Sequence, residues 1–342
     1  MESTSDDSVI VDGYDVRFEG SLDLSINVDM IPLELTDDSL LDGIQKIVCH
    51  DSFFIVQDLS SNLYRFDKNG KFVNRISNKG RSQEEYIRLN SFCVDSLGHV
   101  ILFDSFGDRV LTFKMDGSFV EEKKLPSRSL YEMHNAFMIS QNEVLLENYI
   151  MGDYNEVYSI VSLDNGKREV VHKSLLKTDG IGQYIGKNTI SGKGEIKCIL
   201  PFDNIIYSLD ENHALSEFIT IRTREKIVNQ KFLSEQKDFS IETYLNIGNR
   251  GYFQGFTSFF ENDKYYLLTF FDLRYFLIDK RTMSGTYFTN DNMSFPMVNI
   301  VASSEDCFFG YIDEMSIMHF PRLSEYNLQE NVNPIIIRYT MN

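Results

Sequence analysis

Eight side chains combine suitable types with loop-like settings for a ligand site: Arg81, Glu85, Tyr86, Asp104, Arg109, Tyr184, Arg250 and Arg274. Arginine presents a planar fork of donors that matches a carboxylate or paired sugar hydroxyls, and tyrosine offers a stacking face with a polar tip. The run Arg81–Tyr86 and the turn Asp104–Arg109 are the preferred pair, with Tyr184, Arg250 and Arg274 able to join them. The competing reading of the same residues is a solvated loop or an ion pair between neighbouring sheets. No catalytic residue, metal ligand or cofactor site is assigned. Nothing matches a nucleophile elbow, a phosphate loop or a zinc-protease helix. The segment from Gly180 to Gly186 resembles a dinucleotide fingerprint only in its glycine count and lacks the strand–helix–strand setting. Gly192-Lys193-Gly194 reads as a turn. Glu84-Glu85 and Glu121-Glu122 are neighbours in sequence, so on a strand they face opposite ways and make no acid/base couple.

Cysteine and histidine point the same way. Cys49, Cys93, Cys198 and Cys307 form no CxxC pair, have no histidine at metal-ligand spacing, and lie in apolar runs such as SFCVD and DCFFGYI. They read as buried free thiols, with a disulfide left open as an alternative whose pairing the spacing does not assign. His50, His99, His134, His172, His213 and His319 are scattered along the chain and read as structural or surface residues.

The elements that must hold these side chains emerge from an internal repeat. Residues 52–73 align without a gap over residues 99–120, at an offset of 47. Phe66 meets Phe113, Gly70 meets Gly117, and Phe72 meets Phe119. Each copy reads as a buried strand (FFIV, VILF), a short polar turn, an alternating strand (LYRF, VLTF), a glycine turn and a further strand. Strands of that number in about 47 residues make one propeller blade. Weaker copies occupy 157–170, 205–219 and 275–288, and the turn acids fall at 67, 116, 164, 210 and 279. Their last step is 69 residues against 46–49 for the others, because 224–246 carries apolar residues at helical spacing and predicts a helical insertion. Residues 297–313 supply a sixth blade. The runs 24–35 and 334–341 can join in it to close the ring.

The expected fold is therefore an all-β, six-bladed β-propeller of four-stranded antiparallel blades, spanning 21–342 after a polar segment over 1–20. That segment reads either as a tail or as the stub left when a leader is trimmed. The net charge of −18 repels phosphate backbones and argues against nucleic acid. No run of about 18 apolar residues can cross a membrane as a helix.

Four stretches, YRFDKNGKFVNRISNKGRSQEEY (64–86), ILFDSFGDRVLTFKMDGSF (101–119), PFDNIIYSLDEN (201–212) and ENVNPIIIRYTMN (330–342), resemble a known family. It comprises six-bladed, NHL-like β-propellers of Bacteroides-type bacteria, commonly envelope lipoproteins of unassigned function. Asn333-Pro334 before an apolar strand is the more specific end marker, and Asp104…Arg109-Val110…Phe113…Gly117 looks like an NHL repeat. The chain departs from the family's Gly-x-Gly-Pro-Gly-Glu-Tyr turn. It keeps Gly80, Glu85 and Tyr86 and loses the intervening glycines and proline. The resemblance implies export, with a leader and a lipid-bearing cysteine outside this sequence.

Together these readings predict a monomeric, non-catalytic binding or scaffold propeller of the cell envelope, with a glycan, peptide or partner protein held at the channel mouth and no cofactor. The alternative is a propeller hydrolase or lyase with a channel-bound metal. A third reading is a purely structural part of a larger assembly.

Overall fold

The computed structural model describes residues 9–13, 26–50, 52–150, 154–175, 189–191, 195–235, 240–290, 293, 295–326 and 333–341. The apolar runs that opened each repeat are strands buried along their whole length: Phe53–Gln57 in the first copy and Val100–Asp104 in the second. Such a strand has neighbours on both faces, so it reads as a continuous apolar run instead of an alternating one. The last strands, Phe72–Lys79 and Phe119–Lys124, alternate between exposed and partly buried positions, as edges facing water do.

Six sheets follow one another. Blade 1 contains Lys46–His50, Phe53–Gln57, Leu63–Asp67 and Phe72–Lys79, with Glu85–Tyr86 added in parallel. Blade 2 runs from Leu89–Val94 to Phe119–Lys124, and blade 3 from Met133–Met138 to Arg168–Lys173. Blade 4 runs from Ile190–Ser191 to Leu215–Arg222, and blade 5 from Ser258–Glu261 to Ser284–Thr289. Blade 6 combines Ala302–Ser303, Cys307–Ile312 and Ile335–Met341 with the N-terminal strand Ile26–Pro32. The fold is a six-bladed β-propeller with four-stranded antiparallel blades. Blades 3, 4 and 5 form one compact unit, and blades 6, 1 and 2 form another.

The repeated turn acids have a shared mechanism. The Asp67 carboxylate accepts the N–H groups of Asn69 (2.8 Å) and Lys71 (2.9 Å), and Asp210 does the same for Asn212 and Ala214, both at 2.8 Å. Each side chain thus satisfies turn amides that no strand can pair. Gly70 and Gly117 hold φ of +82° and +86° in these turns, and a side chain at Gly70 would overlap the Pro32 carbonyl oxygen. Where blade 4 lacks a glycine, His213 takes the left-handed conformation itself, at φ 63°.

The Asn333-Pro334 marker acquires a physical role. Asn333 is 2% exposed; its Oδ1 accepts Leu41 N–H (3.0 Å), and its Nδ2 donates to Glu34 O (2.9 Å) and Ser39 O (2.6 Å). It ties the loop after the N-terminal strand to the start of the C-terminal strand.

The helical insertion predicted over 224–246 is present as two short helices, α1 (Gln230–Glu235) and α2 (Ile241–Asn249). Ser240 caps α2 by accepting Thr243 N–H, which restarts the helix, while Lys226 is extended and bridges to Tyr252. The insertion has its own small core of Val228, Leu233, Tyr244 and Ile247 around Phe202. Within the polar segment 1–20, Val9–Asp12 pairs in parallel with Leu215–Arg222, and Val11 is fully buried. Three of those four residues are apolar, and the strand covers the otherwise free edge of blade 4.

Candidate functional site

The sequence-predicted residues separate into two groups. Glu85, Tyr86, Asp104 and Arg109 lie together, with Arg109 bound to Asp104 and to the Glu85 carbonyl and Tyr86 held to Ser61. Asp104 ends the second strand of blade 2 with no exposed surface, and Arg109 opens the third strand directly opposite. The carboxylate of Asp104 accepts the N–H groups of Ile87 (2.9 Å), Arg88 (3.0 Å) and Gly107 (3.2 Å) together with Arg109 Nε (3.1 Å). The rest of the Arg109 fork reaches Glu122 Oε1 (3.3 Å) and the Glu85 carbonyl (2.5 Å). Tyr86 is buried and donates to Ser61 O at 2.6 Å. Glu85 accepts Ser82 N–H at 3.1 Å, which holds its carboxyl below the usual range, and it folds over Gly80 where a Cβ would collide. This accounts for Gly80, Glu85 and Tyr86 persisting where the intervening glycines do not. Arg81 stays exposed at the tip of the loop.

Arg250 and Arg274 belong to the other compact unit. Arg274 pairs with Asp272 (2.7 Å) over the Phe270 ring, and Arg250 follows α2 with an exposed side chain. Tyr184 lies outside the described residues.

Two buried charged clusters went unnoticed in the sequence. Glu147, 2% exposed, accepts Thr189 N–H (3.1 Å), the Thr189 hydroxyl and Asn135 Nδ2 (3.1 Å), linking blade 3 to blade 4. Between blades 4 and 5, Glu261 Oε1 lies 3.6 Å from Lys197 Nζ and 2.6 Å from Lys280 Nζ, and the Lys280 ammonium sits over the Tyr266 ring. Buried carboxylates with such partners are structural pairs whose acceptors are in use. The signal available in sequence was a carboxylate at the end of an apolar strand, in VLLEN and SFFE.

A different feature is open. Between blade 6 and blade 1 lies a groove of about 700 Å³. Ile31, Phe54, Cys307 and Phe309 lie beneath it, all buried, and the surface it exposes is mostly polar. Its rim is charged: Asp29, Arg338, Glu305 and Asp306 from blade 6, with His50 and Lys68 from blade 1. The groove sits at the end of blade 1 that carries the Asp67 turn, opposite the 80–86 loop, which is anchored at the 58–62 turn. The neighbouring seam between blades 1 and 2 is bridged: Arg65 lies 5.1 Å over the Phe53 ring and donates to Met115 O at 3.2 Å. In blade 6, Arg338 turns instead to Asp29, donating Nε (3.0 Å) and an NH2 group (2.6 Å) to one carboxylate oxygen.

Burial, and then the nearby Asp306 charge, push the Cys307 thiol up to about 12, so it is a protonated wall and not a nucleophile. Among the described residues, no three or more histidine, cysteine or acidic side chains are placed to hold a metal ion.

Three comparisons with known proteins bear on this architecture. The model of a domain of unknown function, DUF4934, matches residues 21–340. A Bacteroides fragilis protein described as exported has a similar structure, with a TM-score of 0.67 and 19% identity, covering 98% of this chain and 99% of that one. A DUF4221 member from Bacteroides vulgatus is similar at a TM-score of 0.56 and 9% identity, covering 93% and 97%. At these identities the likeness establishes the fold. A comparison with curated protein sequences finds no significant match.

Proposed function

The chain belongs to the DUF4934 family, and from that premise we propose that it is a non-catalytic binding propeller of the bacterial cell envelope whose ligand site is the groove between blades 6 and 1. The observation that carries this reading is the contrast between the groove and its surroundings. The buried charged groups Asp104, Arg109 and Glu147 are engaged with protein partners, whereas the groove is an open concavity whose exposed lining is mostly polar and charged. Its volume, about 700 Å³, lies in the range that ligand sites occupy. The envelope setting draws on the similar fold of a Bacteroides protein described as exported. It also fits the finding that no helix among the described residues is long and apolar enough to cross a membrane.

The test is a thermal-shift screen of the full chain against glycans and peptides, repeated on Asn69→Trp. Asn69 is exposed on the blade 1 rim, so a tryptophan there fills the groove without touching the core. A ligand that binds only the native state raises Tm. The reading expects a stabilising ligand whose shift disappears in Asn69→Trp. Equal stabilisation of both proteins, or turnover of the bound ligand, contradicts it.

A further inference from the structure

We infer that the outer edge of blade 4 is a docking site for an extended polypeptide segment of the pattern apolar-x-Val-x-Gly. Residues 9–13 are its resident ligand, held loosely enough for a partner protein's segment of that pattern to displace them. This site is independent of the groove.

The edge differs from those of its neighbours. An outer strand presents unpaired amides and carbonyls, and proteins guard such edges with charged side chains. The outer strands of blades 1, 2 and 3 are guarded in this way, with the sequences FVNRISNK, FVEEKK and REVVHK. The outer strand of blade 4 is LSEFITIR, and its run Phe218–Ile221 carries no charge. The N-terminal strand lies on that end of it: Val9 pairs with Ile219, Ile10 with Thr220, Val11 with Ile221 and Asp12 with Arg222. It pairs with none of the half that carries Glu217.

The site selects its occupant at two points. Val11 is fully buried in a core cluster that joins Ile219 and Ile221 of blade 4 to Phe276 of blade 5, with Tyr287 packed against it. Ile10, beside it, is 58% exposed. Gly13 then donates its N–H to Arg222 O at 3.0 Å, and a Cβ there would lie 2.5 Å from that oxygen, so glycine is needed for this closing bond. Main-chain bonds that give affinity, with alternate side chains that give specificity, are how a sheet edge recognises an added strand.

The resident is lightly held. Ordering its four residues costs backbone entropy at every one, and a single fully buried side chain stands against that cost. Asp12 and Arg222 are 3.6 Å apart and both about half exposed, so their attraction is screened. The strand can also leave alone, because Leu215–Arg222 keeps its antiparallel ladder with Ile205–Leu209.

The experiment measures fluorescence anisotropy of the fluorescein-labelled hexapeptide Ser-Val-Ile-Val-Asp-Gly, the sequence of residues 8–13, with three full chains: the parent, Val11→Asp and Ile10→Thr. A carboxylate at position 11 is not tolerated in an apolar seam, so Val11→Asp undocks its own strand and presents an open edge. Ile10 faces outward, so Ile10→Thr keeps the strand docked. Val11→Asp should bind the peptide about tenfold or more tightly than the other two chains, because occupancy by the resident strand lowers apparent affinity by the fraction of open sites. A second peptide with aspartate at its fourth position should bind none of the three. Hydrogen exchange of the parent should show the Gly13 amide exchanging about a hundredfold or more faster than the amides of Ile205–Leu209. Equal binding to all three chains, no binding to Val11→Asp, or binding of the second peptide overturns the inference. A Val11→Asp chain that fails to fold also overturns it, as does a Gly13 amide that exchanges only as slowly as the sheet, since a docked ligand leaves without unfolding its site.

Discussion

Replacing Asp104 with alanine tests whether the cluster around Arg109 holds the fold together. The Asp104 side chain has no exposed surface and accepts four hydrogen bonds, three from the backbone amides of Ile87, Arg88 and Gly107 and one from Arg109 Nε. Water cannot take over all of these positions without opening the seam between the 80–86 loop and blade 2. A single buried donor left without a partner costs about 1–3 kcal/mol, and breaking a buried ion pair by removing one partner costs about 3–5 kcal/mol. These contributions overlap, because all four donors share one carboxylate. Arg109 also keeps Glu122 and the Glu85 carbonyl. The net loss for Asp104→Ala is therefore placed at about 3–5 kcal/mol. Unfolding entropy of about 2.1 cal/mol/K per residue over 342 residues gives about 0.7 kcal/mol/K, so Tm should fall by about 4–7 °C. Asp104→Asn keeps the shape and one good acceptor oxygen, and should lose about 1–3 kcal/mol. The assay is calorimetry of the three proteins at one concentration and pH. A Tm within about 1 °C of the parent for Asp104→Ala would refute the argument, because it would mean that the amides and Arg109 find other partners at no cost.

Three further expectations follow from the same geometry. Asn333→Ala removes three hydrogen bonds between the two chain-end segments of blade 6 and should cost about 2–4 kcal/mol, read as a lower urea midpoint. Gly70→Ala and Gly98→Ala separate backbone strain from collision. Both glycines have φ near +80°, but only at Gly70 does a Cβ meet the Pro32 carbonyl, so Gly98→Ala should cost about 1–2 kcal/mol and Gly70→Ala clearly more. Burial first, then the Asp58 charge, raises the Tyr64 hydroxyl from 10.0 to about 12. The folded state therefore keeps a proton that the unfolded chain loses above pH 10. Tyr64's contribution is full below pH 10 and is lost as pH rises toward 12, so denaturation curves between those values should slope less steeply in Tyr64→Phe than in the parent.

Much of the architecture was legible in the residues because it is local. The gapless match of 52–73 to 99–120 announced the blade, since each strand and its turn are dictated by neighbours a few positions away. The acids at 67 and 210 could be recognised as turn residues because an aspartate bonds the amides two and four residues on. Helical spacing located the insertion over 224–246, while the cap at Ser240 that starts its second helix is set by a side-chain bond to Thr243 N–H and not by the apolar pattern. The short strand at Val9–Asp12 was missed because four residues carry little periodicity and their partner lies some 200 positions away.

The sites divide along the same line. Sequence supplied the residue types at Glu85, Tyr86, Asp104 and Arg109, and even their proximity, but their partners became known only in the folded structure. Arg109 reaches Glu85 across 24 positions, and Thr189 reaches Glu147 across 42. The groove was beyond any reading of the chain. Its walls come from residues 29–32, 50, 54, 68–69, 304–307, 309 and 338. Beside it Arg338 turns toward Asp29, while Arg65 bridges the adjacent seam. A repeat determines how many blades there are and where their turns fall, since those depend on short-range bonding. Whether the space between two blades is filled or left empty depends on side chains that meet only after the blades have packed.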